Sequence, residues 1–144
     1  ENIHITAGCN QAFMATVSAI AGSGDAVALT DPFYFNQETT LAMMGIRREL
    51  IPLDPATGFV PTIEGIEAVL AKGVKAVALV SPNNPTGAVT PPAAIREIAA
   101  IAQMQEISRG DEFGRAAAKA AASPASGCRP MAWKRAAASG MRST

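Results

Sequence analysis

The sequence predicts an α/β fold: a partial three-layer sandwich built on a mainly parallel sheet. Between residue 2 and Gln103, short apolar runs of strand length alternate with segments whose apolar residues recur at helical spacing. Strands that alternate with helices imply right-handed crossovers and parallel neighbours. One run, KAVALV at 75–80, is continuous in apolar residues, as a strand buried on both faces should be.

In chain order, NIHIT (2–6) is a short strand, and the stretch from Cys9 to Ala21 is helical through Phe13, Val17, Ile20 and Ala21. Gly22 and Gly24 stop it. DAVALTD (25–31) is the second strand, Gln37–Met44 a short helix ended by Gly45, and RRELIPL (47–53) the third strand. TIEGIEAVLA (62–71) is a helix with Thr62 as N-cap, Ile63, Ile66, Val69 and Leu70 on one face, and Gly73 at its end. After the strand at 75–80, PPAAIREIAAIAQ (91–103) is a helix with proline in its first turn.

At 144 residues the chain is the size of one domain, with 49% hydrophobic and 17% charged residues. No apolar run approaches the ~20 residues that span a bilayer, which argues against a membrane helix. ENIHITAGCNQ has no initiator Met, basic segment or apolar segment, and reads as the interior of a larger protein. Cys9 and Cys128 form neither a disulfide framework nor a metal-ligand spacing, so a reducing cytoplasm is expected.

The net charge of zero conceals an asymmetry. Residues 1–103 hold nine acidic and five basic side chains, whereas residues 104–144 hold three acidic and seven basic. After Ile107 there is no Ile, Leu or Val, and from Arg115 onward alanine and basic residues dominate. A low-complexity basic tail or out-of-frame translation of a GC-rich gene would produce this composition. The second is favoured because the change begins inside a helix that should lead into another strand. Residues 104–144 are thus expected to be disordered or out of frame.

Ligands of open α/β sheets bind beyond the carboxyl ends of strands. Three loops leave such ends: Ala7–Gln11, Asp31–Asn36 and Ser81–Gly87. In TAGCNQA the first helical amides would be unpaired donors at the positive end of the helix dipole, an arrangement suited to phosphate. The stretch is neither a P-loop nor a G-x-G-x-x-G fingerprint. DPFYFNQ carries three aromatics: Phe33 and Phe35 are expected in the core, and Tyr34 in a ring-stacking position. SPNNPTG, with two prolines, two asparagines and a glycine, is stiffer than a connection requires. His4 reads as a core histidine, and GSGD (22–25) as a helix stop and turn.

In this order the three loops resemble the large domain of class I/II aminotransferases, pyridoxal-phosphate enzymes of fold type I. SPNNPTG is the most specific element, supported by GDAVALTDPFYF and GFVP (58–61); the resemblance spans about 2–103. It implies transfer of an amino group between an amino acid and a 2-oxo acid, pyridoxal 5′-phosphate as cofactor, a homodimer and no nucleic-acid partner. It assigns Gly8, Cys9 and Asn10 to the cofactor phosphate, Tyr34 to the pyridine ring, and Asn84, followed by a cis peptide bond to Pro85, to the phenolic oxygen.

The Schiff-base lysine of the family has no counterpart. Lys72 and Lys75 flank a turn, and Lys119 and Lys134 lie in alanine-rich sequence. Asp111-Glu112 echoes the family's D-E-x-Y without an apolar strand before it. The expectation is therefore a truncated aminotransferase, inactive as this chain. The alternatives are a non-catalytic α/β module for a phosphorylated ligand and a basic-tailed interaction protein.

Overall fold

The computed structural model describes residues 5–109 and 120–122. Its elements are α1 (Cys9–Ile20), β1 (Ala26–Asp31), α2 (Phe35–Met43), β2 (Arg47–Pro52), α3 (Ile63–Ala71), β3 (Ala76–Ser81), α4 (Pro92–Arg109) and β4 (Ala120–Ala122). The strands form one parallel sheet in the order β2-β1-β3-β4. Most of the strand expected at 2–6 lies outside the described residues, and Ile5 and Thr6 are irregular.

β1 lies between two neighbours and is buried from Ala26 to Thr30. Its side chains alternate between two cores, as strand geometry requires. Val27 and Leu29 pack with Val17 and Ala21 at the end of α1, Leu41 of α2 and Ile46. Ala26 and Ala28 face Ile51, then Ile66, Val69 and Leu70 of α3, and Ile98 of α4. Helices therefore cover both faces, and the three-layer expectation holds. Burying each of the larger aliphatic side chains contributes about 1.5–3 kcal/mol.

Local chemistry sets the boundaries. Thr62 caps α3, its hydroxyl accepting the Gly65 amide at 3.2 Å. Gly45, with φ of 67°, reverses the chain after α2; a side chain there would be strained and would meet Ser23 Oγ at 2.8 Å. α2 starts two residues before the predicted Gln37, with Tyr34 at its N-cap. β3 does not bury both faces equally: Val77, Leu79 and Ser81 are buried, while Ala76, Ala78 and Val80 are half-buried.

α4 continues past Gln103 to Arg109, since nothing in MQEISR breaks a helix before Gly110. Ala120–Ala122 then pairs in parallel with Leu79–Ser81. Three alanines gave no strand signal in the sequence, but a ladder engages backbone groups, which alanine supplies as readily as valine. Among the described residues no helix is long and apolar enough to cross a membrane.

The strand order places a switch point between β1 and β3. From β1 the chain moves outward through α2 to β2, then returns through α3, on the opposite face, to the other side of β1. Connections leaving the carboxyl ends of β1 and β3 thus depart to opposite sides and open a crevice between them.

Candidate cofactor site

The register Val27↔Ala76 and Leu29↔Ala78 brings the carboxyl ends of β1 and β3 side by side, so Asp31–Asn36 and Ser81–Gly87 share one edge of the sheet. α1 reaches the same edge. Its 12 residues span about 18 Å, close to the ~20 Å of a six-residue strand. The tight connection at Ala21–Asp25, where the Asp25 carboxylate accepts the Gly22 amide at 2.9 Å, returns the N-terminus of α1 to the carboxyl end of β1.

At that N-terminus Gly8 adopts φ 86° and ψ 174°. No atom lies within 4 Å of where its Cβ would stand, so the backbone conformation, and not space, calls for glycine. Among the described residues the amides of Cys9 and Asn10 have no hydrogen-bond partner, as expected of first-turn donors. Gln11 turns its side chain back to accept the Ala7 amide at 2.6 Å, and Thr6 Oγ1 donates to the Gly8 carbonyl at 3.0 Å. These contacts hold the turn open. The Cys9 thiol is free and exposed.

In the second loop Phe33 packs against the α1–α2 core. Tyr34 is half-buried; its Oη accepts from Asn36 Nδ2 at 2.6 Å, and its ring meets Phe35 edge-on at 5.3 Å and 65°. The core expectation holds for Phe33 and fails for Phe35, which is 66% exposed. As the first residue of α2, Phe35 lies off the face that buries Leu41.

The third loop separates its two asparagines. Asn83 is buried and Asn84 is exposed. The Asn83 amide group donates to Thr30 Oγ1 at 3.3 Å and to the Pro32 carbonyl at 3.4 Å, and accepts from Thr86 N at 3.1 Å and Thr86 Oγ1 at 2.8 Å. Its backbone closes the loop through Asn83 N to the Ala88 carbonyl and Gly87 N to the Asn83 carbonyl, both 2.7 Å. Asn84 has no hydrogen-bond partner among the described residues and offers both polar atoms of its amide. The Asn84–Pro85 peptide is cis, as are Asp31–Pro32 and Ser81–Pro82.

Gly8, Cys9, Asn10, Tyr34 and Asn84 therefore share one edge of the sheet. Sequence reasoning missed Thr30, Asn83 and Thr86, which tie two of the loops together. Their one signal was the doubled asparagine, since a loop presenting a single amide needs only one. Neither described lysine is at this edge: Lys72 follows α3 at the opposite end and pairs with Glu49 at 2.8 Å, and Lys75 directly precedes β3. His4, Asp111, Lys119 and Lys134 lie outside the described residues.

Unpaired helix amides, an aromatic ring and a free carboxamide suit a flat ring that bears a phosphate and an anionic oxygen. Fold and loops together define an open, doubly wound α/β domain with its switch point between β1 and β3, the place where such sheets take ligands. Residues 1–108 match the family described as Aminotransferase class I and II. The chain is 36% identical over 107 residues to a probable N-succinyldiaminopimelate aminotransferase of Mycobacterium tuberculosis, covering 72% of this chain and 27% of that protein. It is 30% identical over 102 residues to an aromatic aminotransferase of Arabidopsis thaliana, covering 69% and 26%. Aspartate aminotransferase of Thermus thermophilus, solved with maleate, superposes at TM-score 0.69 with 30% identity, covering 73% of this chain and 28% of that one. The chain belongs to the class I and II aminotransferases, with the fold of fold type I, and spans about a quarter of the length of these relatives.

Proposed function

We propose that this chain carries the cofactor-binding part of a pyridoxal-phosphate-dependent aminotransferase acting on an amino acid and a 2-oxo acid. The observation that carries this reading is the shared sheet edge at the β1–β3 switch, where α1 amides and an Asn84 carboxamide, unpaired among the described residues, stand with Tyr34. The amides of Cys9 and Asn10, with Gly8 opening the turn, bind the phosphate by hydrogen bonds and helix dipole. Tyr34 orients the ring by stacking, its hydroxyl held by Asn36. Asn84 donates to the phenolic oxygen and fixes the ring's rotation. When bound, the cofactor supplies an electron sink for the substrate carbon, and the protein supplies orientation and electrostatics.

Among the described residues the edge provides binding and orientation and no lysine for covalent attachment, since Lys72 and Lys75 are at the other end of the sheet. Binding without turnover is the behaviour this arrangement gives. In the full-length protein this reading places the domain in a homodimer in the cytoplasm.

Calorimetry with pyridoxine 5′-phosphate, which lacks the aldehyde and so cannot attach to surface lysines, tests the cradle directly. Binding should be lost when the phosphate is removed to give pyridoxine, and 2-oxo acid formation with pyridoxal phosphate should equal the free cofactor's background. Equal affinity for pyridoxine and its phosphate would contradict the phosphate assignment. Turnover above background that disappears in Tyr34→Ala would contradict the absence of a catalytic amine.

A further inference from the structure

We infer that Asn83 is the positioning residue of the crevice: its side chain locks the Tyr34 loop to the Asn84 loop, so that ring and carboxamide address one ligand. The inference rests on the cofactor reading above for the identity of that ligand, but its geometry does not. A carboxamide donates at one end and accepts at the other, and Asn83 uses both ends, each toward a different loop. Its Nδ2 group donates across to Thr30 Oγ1 in β1 and the Pro32 carbonyl just beyond it, which lie side by side. Both acceptor positions are taken within its own loop by Thr86 N and Thr86 Oγ1.

Thr86 N, which can only donate, and the Pro32 carbonyl, which can only accept, fix which end of the carboxamide faces which loop. Thr30 Oγ1 donates to the Pro32 carbonyl at 3.3 Å, leaving its lone pair for Asn83. Thr86 Oγ1 accepts from Ala88 N at 3.2 Å, leaving its hydrogen for Asn83. The carboxamide is therefore oriented by the network as well as buried in it, at 6% exposure beside a Thr30 of 5%. Pro32 is two residues from Tyr34, and Asn83 is bonded directly to Asn84. One side chain thus couples two groups departing to opposite sides of the switch.

The test uses the full chain and needs no cofactor for its first readout. The sequence contains a single tyrosine, so 3-fluorotyrosine labels Tyr34 alone and its fluorine resonance reports the state of that loop. Asn83→Asp replaces two donors with acceptors opposite the Pro32 carbonyl. It should move the Tyr34 resonance and weaken pyridoxine phosphate binding by roughly tenfold, because buried partners are left unsatisfied. Thr30→Val should act in the same direction, and Thr30→Ser, which restores the oxygen, should return both readouts. If Asn83→Asp does not fold, the Thr30 pair carries the test. Asn84→Ala should weaken binding without moving the resonance.

A resonance unchanged in folded Asn83→Asp and Thr30→Val, with only the denaturation midpoint lowered, would reduce Asn83 to scaffolding of its own loop and overturn the inference. If the resonance moves but wild-type chain binds no pyridoxine phosphate, the coupling stands and the cofactor reading fails.

Discussion

Asn84 is exposed and unpartnered among the described residues, so removing its carboxamide strands no buried group. Asn84→Ala should keep the wild-type denaturation midpoint and lose roughly tenfold in pyridoxine phosphate affinity, the effect of one hydrogen bond to a charged oxygen. At Tyr34 the ring and the hydroxyl are separable. Tyr34→Phe keeps the stacking face and gives up only the bond from half-buried Asn36, so calorimetry should find near-wild-type affinity. Tyr34→Ala should cost roughly tenfold, from a lost aromatic contact of about 0.5–1.5 kcal/mol plus buried area. If Phe and Ala prove equally damaging, the hydroxyl and not the ring is the contact.

Among the elements, α3 joins cap and core. Thr62 bonds the Gly65 amide while Ile66, Val69 and Leu70 face the sheet. Thr62→Ala should lower unfolding stability by about 1 kcal/mol in a denaturant titration, and Thr62→Ser should restore most of it. β2 is the edge of the sheet among the described residues, and Glu49 links it to the end of α3 through Lys72. The Lys72 ammonium donates to the Glu49 carboxylate and, with further attraction from Lys72 and Arg47, holds its pKa below the usual carboxylate value against opposing desolvation. A depressed folded-state pKa gives stability that is present above the unfolded value of 4.5 and is lost as pH falls through the folded one. Glu49→Gln should flatten the acid limb of the stability profile slightly, and added salt should do the same to wild type, since the pair is at the surface.

For the whole molecule, the two cores meet through β1, and Leu29 is fully buried in one of them. Leu29→Ala should destabilise by about 2–5 kcal/mol and weaken ligand binding only as far as it unfolds the chain. The alternation of strands and helices made the layers legible in the sequence, because each apolar period fits one kind of element. What stayed illegible depends on contacts between distant segments. Adjacent identical residues give no local reason why Asn83 is buried and Asn84 free; Thr30, 53 positions earlier, decides it. Phe35 looked like core until the start of α2 fixed the direction it faces, and Ala120–Ala122 joined the sheet with no apolar signal. Whether loops from three parts of the chain form one cradle at the β1–β3 switch is read by a backbone and side-chain amide NMR titration with pyridoxine 5′-phosphate. The largest shifts should fall together, with one saturation curve, on the Cys9 and Asn10 amides and the Asn84 carboxamide. Shifts centred on Arg47, Arg48 and Lys72 at the β2 edge, with Cys9, Asn10 and Asn84 unmoved, would contradict it.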